Sequence, residues 1–427
     1  MMVNIRERAR ARLVGMVRMM ALMLAVAGFV PQAAAQALTL RQALTLARES
    51  DVGLAASAAR IEAASGALRQ AGASPNPSIG VEVENFPRSN VNVPFERTEA
   101  TIYYQRTLER GDKRDARTGV ARADLDVVRL RRIVRGLDLF QNVETAWNEA
   151  VAAEAAVRIA EQQLLVLQEF QTEVRRRVEA ARDPLFAGAR VDTQVIQAQI
   201  ALDQARLVAG NARRALAAYW SNPADQMLDA EEFENTDAEL PVLPAQSIDL
   251  ALLEAMRETA DAHVTLERSR AVPDLTLRGG VRYLEQGRDL ALVVGGSIPL
   301  GIYDTNAGNI ERAEAERLAA DREIAAARLA RTRDTVRLQA RISANAAEAD
   351  RIRAEMLPKA EETVALVRDG FNRGGFSYLD VIDAQRALID ARVRRVEALK
   401  AFHADRAALN RLAARHADLI SNEETRP

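Results

Sequence analysis

"RGGFSYLDVIDAQRALIDAR" (residues 373–392) opens on two glycines and runs directly into an amphipathic stretch without proline. Inside it, residues 384–392 read AQRALIDAR, and residues 198–206 read AQIALDQAR. Six of these nine positions coincide, 186 residues apart, each copy following a glycine, Gly188 or Gly374. A helix written twice behind a turn residue marks an internal repeat, which has to be recognised before any fold is assigned. The glycines are read as chain reversals, where a positive φ is needed.

Working outward, the division expected is a first repeat over 36–220, a linker over 221–246, a second repeat over 247–416 and a tail over 417–427. Each repeat begins with a helical pattern, LTLRQALTLARESD or SIDLALLEAMRETAD. Two alternating segments follow, then a very long helix, a turn and the quoted helix. The linker, SNPADQMLDAEEFENTDAELPVLPAQ, is acidic and carries prolines. The opening helix of the second repeat is about ten residues shorter than that of the first.

Residues 112–182 contain no proline and only Gly119 and Gly136; at 1.5 Å per residue they reach about 105 Å. Residues 306–368 reach about 95 Å, whereas 187–220 and 39–73 reach about 50 Å each. Such lengths predict a helical array in which each long helix is flanked by two shorter ones stacked end to end. The helices are Ala-rich, which lets neighbours approach closely. Their Arg and Glu residues are read as solvated faces and i,i+4 pairs.

Four segments alternate with a period of two. Ile79, Val81 and Val83 form the first apolar set, and Ala100, Ile102, Tyr104 and Leu108 the second, interrupted by Arg106. Leu275, Leu277, Gly279, Val281 and Tyr283 form the third; Leu290, Leu292, Val294, Gly296, Ile298 and Leu300 form the fourth. Each has the length of a tilted membrane-crossing strand, although a soluble sheet with one wet face shows the same period. Four strands cannot close a barrel, and an open edge is intolerable in lipid, so transmembrane strands require several copies to share one wall. Three copies supply twelve strands. The fold expected is mainly α with a small β part: a trimeric duct with four transmembrane strands and two long helical hairpins per protomer. The paired glycines Gly279/Gly280 and Gly295/Gly296 suit strands that must curve.

The N-terminal 35 residues read as an export signal. Arg6, Arg8, Arg10, Arg12 and Arg18 precede an apolar run over 19–30 and the small-residue stretch PQAAAQA, predicting cleavage after Ala35 or Ala37. Cleavage after Ala35 leaves 53 basic and 59 acidic residues, a net charge of −6 that argues against a nucleic-acid partner. There is no cysteine, hence no disulfide framework and no lipidated N-terminal cysteine.

The stretches LTLRQALTLARESD, TLERGDKRDAR, SIPLGIYDTNAGNIERAEAE and GGFSYLDVIDAQRALIDAR resemble the TolC family of outer-membrane efflux ducts. The last of these is similar to the family signature G-x5-D-V-[IL]-x-A-Q. The ERGDKR and SIPLGIYD stretches most resemble the branch serving cobalt–zinc–cadmium pumps. The resemblance implies a homotrimeric channel in outer-membrane lipid with its helices in the periplasm. It implies docking to a periplasmic adaptor and an inner-membrane resistance-nodulation-division pump, as a passive exit for heavy-metal cations. It also implies that Pro184, Leu185, Phe186 and Gly188 in the first turn, and Gly374, Gly375, Phe376 and Ser377 in the second, form the adaptor-facing tip.

Two competing readings stand beside this one. A soluble periplasmic adaptor or coiled-coil scaffold would show one hairpin flanked by compact β domains. A duct of the same family could instead carry organic toxicants or secreted proteins.

Threefold symmetry makes a ring of any lumen-facing carboxylate, so Asp183, Asp369, Asp380 and Asp383 are candidates for a cation-selective entrance. The competing role is helix-end chemistry, with Asp380 at the positive end of a helix. Pro358, inside the second long helix, is expected to kink it or delete one hydrogen bond. Met227, Met256, Met356, His263, His403 and His416 show no metal-ligand spacing, and neither a cofactor nor a resident metal is expected. Hydrolase, metalloprotease and P-loop motifs are absent, so no enzyme is predicted. Trp147 and Trp220, in helical stretches, are read as packing or interface residues.

Overall fold

The computed structural model describes residues 37–85, 97–220, 227–237, 240–244 and 246–421. The signal segment 1–35 and parts of the linker and tail lie outside the described residues.

The described chain opens with two helices, α1 (Leu40–Ser50) and α2 (Val52–Ala71). Strands β1 (Ser78–Glu84) and β2 (Glu99–Leu108) follow, then α3 (Lys113–Glu179) and α4 (Leu185–Ala217). A 3-10 turn at Glu231–Glu234 leads to α5 (Ile248–Arg270), β3 (Leu275–Leu284) and β4 (Asp289–Ser297). Helix α6 (Ala307–Arg351), a π-turn (Ile352–Met356) and α7 (Leu357–Asn372) run down continuously. Helix α8 (Tyr378–Leu412) returns, and α9 (Ala417–Ser421) ends the described chain.

The expected single opening helix is two helices. Asp51 is extended (φ −72, ψ 107) and its carboxylate accepts from Leu54 N–H, capping α2. A side chain that competes for backbone donors in this way starts a helix rather than continuing one. The ten-residue difference between the two openings corresponds to α1, which is closed by a capping box between Thr39 and Gln42.

Helix α3, 67 residues and about 100 Å long, is the spine. It packs against α2 above and α4 below on one side, and against α5 above and α8 below on the other; α5 and α8 in turn pack on α6 and α7. The result is a slab whose two edges are α2/α4 and α6/α7. Its largest core lies at mid-height, where α1, α3, the end of α4, Phe233, α8 and α9 converge on Leu44, Phe140, Trp147, Leu216, Trp220 and Leu399. Both tryptophans are buried there, as read from the sequence. The charges depart from expectation. Alongside i,i+3 and i,i+4 pairs, many bridge neighbouring helices: Arg206–Glu161 (2.8 Å), Arg213–Glu154 (2.5 Å), Arg268–Glu314 (2.6 Å) and Arg394–Glu348 (2.7 Å). Ala-lined seams bring the helix axes close enough for long side chains to reach across.

The four strands form one antiparallel meander, β1-β2-β3-β4, so β2 joins β3 across the two halves of the sequence. The register aligns Val81, Ile102, Val281 and Leu292 in one row, and Ile79, Tyr104, Gly279 and Val294 in another. Residues paired directly across a ladder share a face, so one face is continuously apolar. It is uncovered: Leu292 and Val294 are 86% and 87% exposed. The other face carries Arg282, bonded to Glu99 (2.7 Å), Glu84 (3.1 Å) and Thr101 (2.9 Å), and Arg278 beside Glu82 (3.8 Å). On this face Tyr103 stands between Gly80 and Gly280. A Cβ on Gly80 would enter the Tyr103 ring, and one on Gly280 would meet the Ile102 carbonyl and come within 2.8 Å of Tyr103 Cα. The β4 ladder stops at Ser297, short of the expected Ile298 and Leu300; Pro299 has no N–H to continue it.

Both sheet-to-helix entries use the same device. Asp112 (φ 57) and Asn306 (φ 60) are left-handed caps at the starts of α3 and α6, in the segments ERGDKR and YDTNAGN. Asp and Asn tolerate that conformation better than other non-glycine residues. Asn306 also donates through Nδ2 to the Glu267 carbonyl (2.7 Å), tying the helix start to α5. No described helix is long and apolar enough to cross a membrane.

His403 is buried, stacks on Phe233 (5.1 Å between centroids), and sits 2.9 Å from the Phe233 carbonyl, fastening the linker to α8. Burial pushes its pKa from 6.5 down to about 4. Between those values the unfolded chain takes up a proton that the folded chain refuses, so this group's contribution to stability is complete above about pH 6.5. It is lost as pH falls and levels off near 4. His403→Asn should flatten this part of the stability-versus-pH curve relative to wild type, as read by denaturant midpoints. A second expectation concerns the sheet: Gly280→Val should force β2 and β3 apart and sharply reduce the share of the chain that reaches a folded, protease-resistant state. Limited proteolysis of the variant beside wild type reads this.

Candidate functional site

Two regions are candidates for function: the sheet and the far end of the helices. At that far end, α3 turns into α4 and α7 into α8 through one motif. After α7, Gly374 (φ 82) donates to Phe371 O (3.0 Å) and Gly375 to Gly370 O (2.8 Å). After α3, Ala181 (φ 56) donates to Val178 O (3.0 Å) and Arg182 to Arg177 O (2.8 Å). Both are Schellman endings. The glycine expectation therefore holds for Gly374 and not for Gly188, which lies inside α4 with open space around its Cα. The left-handed residue of the first turn is Ala181, at a cost of about 1 kcal/mol relative to glycine. Helices α4 and α8 start four residues after Ala181 and Gly374 respectively, so the nine-residue match that revealed the repeat lies seven residues out of structural register. A heptad shift preserves the buried face while changing the height, which is why the match is visible.

Between the two turns sits a small core of Phe170, Val174, Ala187, Val191, Phe371 and Val381. Phe170 stacks on Tyr378 (5.5 Å, 7°) and tilts against Phe371 (5.3 Å). Arg177 lies over the Phe371 ring (4.3 Å), donates to the Phe371 carbonyl (2.9 Å) and grips Asp183 through two nitrogens (2.8 and 3.2 Å). One side chain thus joins both turns. Burial raises the Tyr378 phenol above its ordinary value.

The four candidate carboxylates are differently placed. Asp183 is bound by Arg177. Asp369 pairs with Arg373 on the exposed surface (2.6 Å). Asp380 closes a capping box at the start of α8: it accepts from Ser377 N–H (2.7 Å), while the Ser377 hydroxyl serves Asp380 N–H. Those Ser377 bonds, side-chain and backbone, hold the Asp380 carboxyl below its usual range. Asp383 is exposed, and no hydrogen bond or ion pair of its carboxylate is formed among the described residues. Leu185, Phe186 and Phe376 are exposed at the tip, with Leu185 at 84%; Pro184 is the extended cap of α4. A Cβ on Gly370 would collide with the Phe376 ring, so that ring rests on the glycine.

Pro358 neither simply kinks the helix nor merely deletes a bond. The turn before it widens to a π register, with Leu357 N–H reaching the Ile352 carbonyl. That widening accommodates a ring that an α-helical turn would exclude. Among the described residues no group of three or more His, Asp or Glu gathers to hold a metal ion.

A four-stranded sheet with one apolar exposed face, carried on two hairpins of this length, is matched in known proteins. The family model described as "Outer membrane efflux protein" matches residues 242–415. The cobalt-zinc-cadmium resistance protein CzcC of Cupriavidus metallidurans is 32% identical over 396 residues, 90% of this chain and 92% of that one. The chain belongs to the outer membrane efflux protein family. A second relative, the nickel-cobalt-cadmium resistance protein NccC of Alcaligenes xylosoxydans xylosoxydans, is 27% identical over 287 residues, 66% of this chain and 63% of its own. The crystal structure of the outer membrane protein VceC from Vibrio cholerae shares the fold, with a TM-score of 0.70 at 18% identity. The match covers 88% of this chain and 96% of VceC. Membership makes this chain an efflux channel protein of the outer membrane, and the exposed apolar face of its sheet is the surface that meets lipid.

Sequence reading missed Arg177, Phe170 and Tyr103, whose roles come from neighbours far away along the chain. Phe170→Ala should destabilise the tip core by about 3–5 kcal/mol. Hydrogen exchange should show both turns loosening together while the mid-height core keeps its protection.

Proposed function

We propose that this protein is the passive exit duct of a tripartite export system that carries divalent heavy-metal cations. Three copies form the duct. The observation that carries the assembly is that, among the described residues, β1 and β4 each leave one backbone edge unpaired beside an exposed apolar face. Lipid tolerates no open edge, so β4 of one copy pairs with β1 of the next. These edges belong to opposite sides of the slab: β1 continues from α2, and β4 leads into α6. Sheet and helices therefore join head to tail in the same direction, which is the condition for a closed ring. Three copies give twelve strands, an even number with room for a wet lumen.

The tip residues Pro184, Leu185, Phe186, Gly188, Gly374, Gly375, Phe376 and Ser377 form the surface that a periplasmic adaptor covers, with an inner-membrane pump of the resistance-nodulation-division type beyond it. Exposed Leu185 and Phe186 support this reading, since large apolar groups at a loop tip mark a contact surface. Asp383 is the best placed of the four carboxylates to form a cation-attracting ring, because Asp183 and Asp380 are engaged within the tip itself. The cargo reading is supported by the metal-resistance names of the relatives. No catalytic step is part of this role.

Deleting the gene from its native host should lower the tolerated concentrations of zinc, cobalt and cadmium several-fold and leave tolerance of organic toxicants unchanged. Growth-inhibition series measure this. Increased sensitivity to organics alone would replace the cation cargo with organic export.

A further inference from the structure

Four arginines fall within seven residues of α3, in RLRRIVR (residues 129–135). Arg129 pairs with Asp126 (3.1 Å). The other three, Arg131, Arg132 and Arg135, line a groove of about 620 Å³ between α3 and α2, where Arg60 of α2 joins them. Arg131 and Arg135 stand one helical turn apart, a spacing at which like charges repel. The Arg135 guanidinium lies over Gly53, where a Cβ would strike it, and its Nε is 3.6 Å from Asp51. Asp51 is already engaged as the cap of α2. Asp138, the other carboxylate of the groove, is held by Arg411 (2.7 Å). Arg60 and Arg131 are exposed, and neither forms an ion pair among the described residues.

From this we infer that the α2–α3 groove binds a multivalent oxyanion of the phosphate or polycarboxylate class. Four guanidiniums there face two carboxylates, both already engaged, in a mature chain whose net charge is −6. The groove also opens at Asp51, beside the start of α2, so the positive end of that helix adds to the field. A guanidinium presents its donors as a planar fork that fits two oxygens of one anion. Asn142 and Tyr219, on the same wall, supply neutral donors. An oxyanion seated among these groups relieves a repulsion that nothing within the copy compensates.

The groove lies within one copy, so binding does not need the ring. The direction it faces rests on the ring reading above. The mid-height layer of α1, Phe233 and α9 covers one face of α3: Phe140 and Glu144 meet His416, and Gly136 meets Ile420. At 100° per residue, Arg131, Arg135 and Asn142 lie roughly 140–180° round α3 from Phe140. A ring about a wet lumen has room for that layer only on its outside, so these arginines face inward. Three copies then set a belt of positive charge around the duct at mid-height. That field opposes a divalent cation, and a bound oxyanion in each groove cancels it. The groove is thus a counter-ion position for the proposed cation cargo.

Isothermal titration calorimetry of the detergent-purified protein, with sodium phosphate and with sodium citrate at low constant chloride, tests this. Wild type should bind at least one of the two anions, at one site per copy. Arg60→Gln and Arg131→Gln should each weaken that binding about tenfold, the worth of one charge-assisted hydrogen bond. Both side chains are exposed and unpaired, so the variants should keep the wild-type thermal midpoint. Arg129→Gln, on the same helix but outside the groove, should bind as wild type does. Absence of binding by both anions, or undiminished binding in Arg60→Gln and Arg131→Gln, overturns the groove. Light scattering of the same particle reads the assembly separately. A three-copy particle that binds neither anion overturns the groove and leaves the ring standing. A single-copy particle that binds one overturns the ring and the inward direction, and leaves the groove.

Discussion

A backbone N–H or C=O facing hydrocarbon must find a partner within protein, because lipid offers none. Every other feature of this molecule is arranged around that requirement. The sheet pairs three of its ladders internally and stops at four strands, with an apolar face on one side and compensated charges on the other. Arg282, shared by Glu84, Glu99 and Thr101, shows how the polar face holds its charge. The unpaired edges of β1 and β4 are then a demand for further copies. The same demand appears in the helices beneath, since α2/α4 and α6/α7 continue those two edges downward.

Long helices can stand in such a wall only if their neighbours hold them along their whole length. Here α3 does this by touching helices on both sides from end to end. Alanine in the seams brings the axes together, and arginines bridge to carboxylates on adjacent helices where the surface opens. Exposed pairs of this kind contribute little each, so they set register more than stability. The stabilising weight lies at mid-height, where Phe140, Trp147, Trp220 and Leu399 meet and where His403 and Phe233 fasten the linker. Below that level the slab thins into two hairpins joined at the tip by Phe170, Phe371 and Arg177.

The tip shows one geometric solution reached with two residue types. Both hairpins end in a Schellman turn, but Gly374 adopts the left-handed conformation freely, whereas Ala181 does so at a conformational cost. Pro358 is a similar case. A residue that would break an α-helix sits next to a π-turn, so the interruption becomes a local widening and the α6–α7 rod continues to the tip.

Sequence alone determined the periodicities of this protein: the two-fold repeat, the period-two apolar faces of four strands, helices far too long for a globular core, and the reversal at Gly374. These are local quantities, carried by spacing within a few residues, and the ERGDKR and SIPLGIYD stretches likewise carry a local conformation at Asp112 and Asn306. Tertiary structure decided what depends on heights and neighbours. It showed that the repeated nonapeptides sit one heptad apart and that Ala181, rather than Gly188, makes the first turn. Asp380 proved to be a cap and Asp183 an ion-pair partner, and Tyr103 proved to span two glycines. A heptad pattern fixes which face of a helix is buried but is blind to translation along it by seven residues. A carboxylate's role is set by the donor that reaches it, and for Asp183 that donor, Arg177, also bonds a carbonyl 194 residues away. Only the folded chain brings such groups together.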